Sequence, residues 1–208
     1  MEPKRNYNAL LAQKVIKELR SRNIQGFYFE TKEEAKNKVL EIIPENSVVS
    51  WGGSITLNEI GLIDSLKKGA YNILDPNAGT DGIEKNKIAH LALNSDYFLM
   101  STNAISATGE LVNIDGIGNR VAALIYGPKN VIVVAGINKV EQSLELAILR
   151  AKTKAASLVL LRYNKSDISS FEELTNKSQN IGSQLVITTM STFKDRIKVI
   201  LAGECLGF

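Results

Sequence analysis

Three short stretches concentrate the side chains that can do chemistry. In "NIDGIGNR", Asn113 to Arg120, Gly116 and Gly118 allow a backbone close to a ligand, and Asn119 can cap the helix "RVAALIYG" that follows. Arg120 falls in the first turn of that helix, where a cation opposes the helix dipole unless an anion is near. Asp115 can be that anion. A bound carboxylate or phosphate is the other choice, because the planar guanidinium fork suits either.

In "SWGGSITLNEIG" a strand ends at Trp51, Gly52 and Gly53 follow, and Ser54 and Thr56 open a helix. Free amides at such a start favour an anion. Glu59, one turn further on, is the available proton carrier. In "MSTNAISATGELVN" a strand delivers Ser101, Thr102 and Asn103 to the same edge. Each stretch also has a plain alternative: a tight turn with a serine cap, a polar hairpin bonding its own backbone, and an Asp115–Arg120 pair. His90 has no second histidine at ligand spacing, so it is read as a helix-surface residue and no metal site is expected. Cys205 has no histidine nearby to activate it and is read as an inert thiol, and Trp51 is read as core.

These residues need elements to hold them. The chain has 208 residues, 44% hydrophobic and 23% charged, with four prolines, which suits one globular domain with a real core. A net charge of +3 without a long basic run argues against nucleic acid as partner. One cysteine excludes an internal disulfide and fits a reducing compartment. Lys14, Lys17 and Glu18 interrupt what would be the apolar part of a signal peptide, and no apolar run reaches membrane-span length, so a cytoplasmic location without membrane contact is expected.

Leu11, Val15 and Leu19 mark an amphipathic first helix, and Thr31 with Glu34 forms a capping box for a second that ends near Pro44. From "SVVSW" onward, strand-like runs ("YNILD", "YFLMS", "VIVVAG", "QLVITTM", "IKVILAG") alternate with helical ones. Runs such as "VIVVAG" lack the alternation of a half-exposed strand, which predicts a mainly parallel α/β sheet covered by helices on both faces. Asn138 with Glu141 reads as a capping box starting a helix from Val140 to about Lys154, and Ser169 with Glu172 as another. The polar segment from Arg162 to Ser183 reads as a surface loop with one solvated helix. Residues 1–208 are read as a single domain, with 1–45 an N-terminal helical segment packed on it. In open parallel sheets ligands bind beyond the carboxyl ends of the strands, where all three stretches fall.

Taken together, "SWGGSITLNEIGL", "DYFLMSTNAISATGELVNIDGIGNRVAALIYGPKNVIVVAGINKV" and "DRIKVILAGECLGF" resemble the lactate-utilisation (LUD) domain family in its short, stand-alone form, over most of the chain. That family is similar in fold to the ribose-phosphate isomerase, glucosamine-phosphate deaminase, formyltetrahydrofolate cyclo-ligase and CoA-transferase group. The resemblance implies small phosphorylated or carboxylated ligands over the loops Gly52 to Thr56, Ser101 to Ala104 and Asp115 to Arg120. A looser likeness to methylthioribose-phosphate isomerases places Asn103 where those enzymes carry an acid, and asparagine cannot serve as a general acid or base. Short LUD proteins commonly carry a cysteine cluster after the long helix; "LLRYNKSDISSFEELTNKSQN" has none, so no redox cofactor is expected there.

The resulting expectation is a LUD-family protein of lactate or organic-acid metabolism that binds a small anionic metabolite, either as a non-catalytic subunit docking to a redox partner protein or with activity of its own. Gly52, Gly53, Gly116 and Gly118 would admit the ligand; Ser54, Thr56, Asn103 and Asn119 would hydrogen-bond it; Arg120 would hold its charge; Glu59 and Asp115 are the catalytic candidates. Alternatives are an isomerase or transferase acting on a phosphorylated sugar or CoA-type substrate, and a structural protein with no ligand. No cofactor is expected, and a homodimer is.

Overall fold

The structure is a computed structural model that describes residues 2–163 and 168–208. In chain order the elements are α1 (Glu2–Ser21), β1 (Gln25–Phe29), α2 (Lys32–Ile42), β2 (Val48–Trp51), α3 (Ile55–Glu59), α4 (Leu62–Lys68), β3 (Asn72–Leu74), α5 (Gly82–Ala92), β4 (Tyr97–Met100), β5 (Ala104–Ser106), β6 (Leu111–Asp115), α6 (Asn119–Ile125), β7 (Asn130–Gly136), a 3-10 turn (Ile137–Lys139), β8 (Val140–Glu141), α7 (Leu144–Arg150), a π turn (Ala151–Ala155), α8 (Ala156–Tyr163), α9 (Phe171–Ser178), β9 (Gln184–Thr188) and β10 (Ile197–Ala202).

Six strands form a parallel sheet in the order β1-β10-β7-β4-β2-β3. Its side chains alternate between two cores, as the period of a strand requires. Val131, Val133 and Ala135 of β7 join α1, α5 and α6 on one face. Ile132 and Val134 join α2, α3 and α4 on the other. Burial on both faces is why these strands are continuous apolar runs in sequence. The N-terminal segment supplies β1 at one edge as well as two helices.

A second sheet, β8-β5-β6-β9, was not foreseen. It is mixed: β5 and β9 run antiparallel to β6, and β8 parallel to β5. Ile105 and Leu111 face the main sheet, while Ala104 and Val112 pack against Ala147 and Ala151 on the long helix. Strands of two and three residues carry too little pattern to be recognised alone.

Two capping assignments change. Asn138 does not start a helix: its amide clamps the backbone of Leu206, accepting from Leu206 N at 3.0 Å and donating to its carbonyl at 3.5 Å. The helix begins instead after Ser143, whose hydroxyl accepts from Leu146 N. The cap of α9 is Ser170 with Glu173, one residue later than expected. That helix is also docked, with Leu174 and Ser178 buried and Ser157 Oγ donating to Ser178 Oγ at 3.2 Å. Residues 164–167 of the polar segment lie outside the described residues. No helix among the described residues is long and apolar enough to cross a membrane.

Candidate functional site

The parallel register puts the carboxyl ends of β2, β4, β7 and β10 at one edge of the main sheet. The peptides that leave these ends are Gly52 to Ser54, Ser101 to Asn103, the 3-10 turn at Lys139, and residues 203–208. They converge on a small chamber of about 60 Å³ lined by Ser54, Thr56, Ser101, Arg120, Lys139 and Phe208 among others. Gly53, Asn103, Arg120, Val159 and Arg162 also line an adjoining cleft of about 400 Å³ that runs past Asp115 and Asn119 to Gly182.

Lys139 is the residue that sequence reasoning missed. It is 3% exposed, and its ammonium donates to Thr56 Oγ1 at 3.0 Å and Ser101 Oγ at 2.9 Å. No carboxylate among the described residues lies within ion-pairing distance of it. Burial pushes its pKa down to about 7; the positive charges of Arg150 and Arg120 add to the effect, and Glu59 opposes it. Lysine is usually a solvated residue, so "INKV" gave no reason to look inward. The available signal was its position, three residues beyond the end of a fully buried strand.

The neighbouring cations are compensated. Arg150, 4% exposed, donates from Nε to Asn138 O at 3.2 Å and from Nη1 to Asn103 O, and pairs with Glu141 at 3.7 Å. Its Nη2 is buried without a partner among the described residues. Arg120 pairs with Asp115 at 2.9 Å and also donates from Nη2 to Ile114 O. Of the two anions considered for Arg120, the chain therefore supplies Asp115.

Asp115 does more than pair. Its Oδ2 accepts from the backbone N–H of Arg120 and Val121, and its Oδ1 from Gly116 N and the guanidinium. It caps α6 from four residues upstream, the role expected of Asn119, while Gly118 holds the cap position with φ +86. Gly52 is needed for a different reason: a β-carbon there would stand 2.4 Å from Arg120 Cγ. Its missing side chain makes room for the arginine stem, whereas around Gly53 and Gly116 a β-carbon would meet nothing within 4 Å.

The other expected site residues are distributed as follows. Ser54 caps α3 by accepting from Leu57 N at 3.3 Å. Thr56 is buried beneath Lys139. Asn103 Oδ1 accepts from Ile114 N at 2.8 Å, tying the peptide before β5 to β6, and its amide nitrogen is left for the cavities it lines. Asn119 and Gly116 line the cleft, not the chamber. Glu59 is exposed and accepts from Gly207 N at 2.7 Å, fastening the 203–208 segment over the chamber. Trp51 is core, with the Lys67 ammonium 5.9 Å from its ring centre, and His90 and Cys205 are exposed away from the chamber. Among the described residues no group of three or more His, Cys, Asp or Glu could hold a metal.

Comparison with known proteins agrees with this architecture. The family model described as LUD domain matches residues 12–202. A crystal structure of a DUF162 family protein from Deinococcus radiodurans superposes with a TM-score of 0.57 over 94% of this chain and 98% of that one, at 11% identity, a likeness of fold alone. No curated protein matches the chain in sequence.

Proposed function

For a chain that belongs to the LUD domain family, whose name stands for lactate utilisation, we propose that the edge of the main sheet binds a small organic anion, a carboxylate or a phosphorylated metabolite. One observation carries this reading: Lys139 is buried with hydroxyls but, among the described residues, no carboxylate, while the two arginines beside it each have one. A buried ammonium without a counter-charge is costly, and an anion in the chamber would supply it. Arg120 has charge to share with such a ligand because its Nη1 donates to no acceptor among the described residues. The open backbone at Gly53 admits the ligand, and the adjoining cleft takes the remainder of a larger one.

In this reading Asp115 positions Arg120 and does not carry protons, since both its oxygens are occupied by N–H donors. Glu59 holds the covering segment. The expected outcome is metabolite binding, with any redox step left to a partner protein. Thermal unfolding against hydroxy acids, dicarboxylates, sugar phosphates and inorganic phosphate tests it. A ligand at a hundred times its dissociation constant adds about 2.7 kcal/mol, which moves the midpoint by several degrees in a domain this size. That shift should vanish in Lys139→Met, which is expected to keep its fold because the methionine side chain fills the same buried space. Equal shifts in wild type and Lys139→Met would place the anion elsewhere, and no shift with any anion would leave a docking role without a ligand.

A further inference from the structure

Lys139 differs from an ordinary anion-binding lysine in where it stands. It lines the chamber yet is 3% exposed, and its nitrogen lies between two hydroxyls within 3.0 Å. The chamber, of about 60 Å³, suits a small fragment. Arg120 lines the same chamber, so a fragment carrying an acid group beside a second functional group would present the two to Arg120 and Lys139 respectively.

We propose that Lys139 is a nucleophilic amine that condenses reversibly with the carbonyl carbon of a small 2-oxo acid whose carboxylate lies toward Arg120. The proposal rests on the anion-binding reading above. In the step, the Nζ lone pair adds to the carbonyl carbon and the carbonyl oxygen takes up a proton. Nζ then gives up its two hydrogens as that oxygen leaves as water, and a carbon–nitrogen double bond replaces the carbon–oxygen one. No oxidant or reductant is consumed. Thr56 and Ser101 are placed to relay these protons, since a hydroxyl that accepts from the ammonium can donate to the free amine.

The surroundings favour the amine form. A solvated lysine near neutral pH is unprotonated in about one molecule in a thousand. Burial, Arg150 and Arg120 bring Lys139 to about 7, so near pH 7.5 most of it is neutral. Among the described residues Glu59 is the carboxylate whose charge works against this, and its Oε2 already accepts from Gly207 N.

The experiment uses pyruvate and glyoxylate, the smallest stable 2-oxo acids, with borohydride to reduce any imine to a secondary amine, followed by intact mass and peptide mapping. The expected result is one saturable adduct on Lys139, suppressed by excess L-lactate or inorganic phosphate and lost in Lys139→Met. At 2-oxo acid concentrations well below saturation, its rate should rise with a midpoint near pH 7, where a surface lysine would still be almost fully protonated. Adducts scattered over surface lysines with Lys139 unmodified would overturn the proposal. If no adduct forms while lactate or phosphate still stabilises the wild type and not Lys139→Met, the imine is refuted and the anion site stands. If neither adduct nor stabilisation is seen, both are refuted.

Discussion

Lys139 and Arg120 show opposite limits of reading a site from residue types. Arg120 announced itself, because an arginine in a first turn beside Asp115 and two glycines is an electrostatic oddity that demands an anion. The sequence left open whether that anion is Asp115 or a ligand, and only geometry decided for Asp115. Lys139 gave no such signal, since its importance lies in desolvation, which depends on Thr56, Ser101 and Gly207 arriving from distant parts of the chain. Its energetic consequence has a definite sign. The folded pKa is about 7 and the unfolded one ordinary, so between them the unfolded chain binds more protons and stability rises with pH. Below pH 7 the unfavourable contribution is complete; it is relieved as pH climbs toward 10.5. Lys139→Met is therefore predicted to raise the unfolding midpoint, more at pH 6 than at pH 9, as differential scanning calorimetry would show. Gly207 offers a second test at this scale. Its φ of +57 and a β-carbon position 2.3 Å from Thr56 Oγ1 leave no room for alanine. Gly207→Ala should loosen the covering segment, so that an amine-acylating reagent modifies Lys139 faster while the global midpoint falls by only a few degrees.

At the scale of elements, the long strands and the capped helices were legible because their signals are local. Thr31 with Glu34 forms the expected capping box, and "VIVVAG" becomes the buried centre of the sheet. The failures occurred where a long-range partner overrides a local one. Asn138 has the spacing of a helix cap, yet its amide is engaged by Leu206, 68 residues away. The cap of α6 comes from Asp115, whose loss would free the backbone N–H groups of Gly116, Arg120 and Val121 and remove the guanidinium's carboxylate partner. Asp115→Ala is expected to cost about 2–4 kcal/mol in urea unfolding, and Asp115→Asn less, since a neutral amide retains one acceptor. The second sheet was not legible, because its short strands are defined by what they pair with. Arg22 joins it to the end of α1, donating to Thr108 O at 2.8 Å, Thr189 O at 2.7 Å and Glu110 Oε1 at 2.5 Å. Burial raises the pKa of Glu110, but hydrogen bonds from Ser106 and Thr108, with the Arg22 charge, outweigh it and leave the carboxyl below its ordinary value. A carboxylate depressed in the fold contributes stability above its unfolded pKa and loses it as pH falls through the folded one. Arg22→Ala should thus destabilise by about 1–3 kcal/mol at pH 7 and by less in acid, once Glu110 is protonated.

Across the whole molecule, the site is a product of topology. Four parallel strands end at one edge, and every group around the chamber comes either from a peptide leaving that edge or from the turn and helix that the second sheet holds against it. The long helix with its π turn, Ala151–Ala155, sends Arg150 inward at one end and Val159 and Arg162 to the cavities at the other. Family membership was legible in the middle block of sequence, as was the placing of the loops after Trp51 and Met100 at one edge of the sheet. The depth of the site was not, because it is made by the covering segment from Gly203 to Phe208 and by the second sheet. At the centre of the site, Lys139 is a desolvated amine whose protonated form has no carboxylate partner among the described residues. The most direct measurement is the pH titration of Lys139 by NMR on protein carrying isotope-labelled lysine, with Lys139→Met identifying the signal, first alone and then with L-lactate or inorganic phosphate. The expected result is a midpoint near 7 that moves upward when the anion is added. A midpoint near 10.5 that neither anion moves would contradict it.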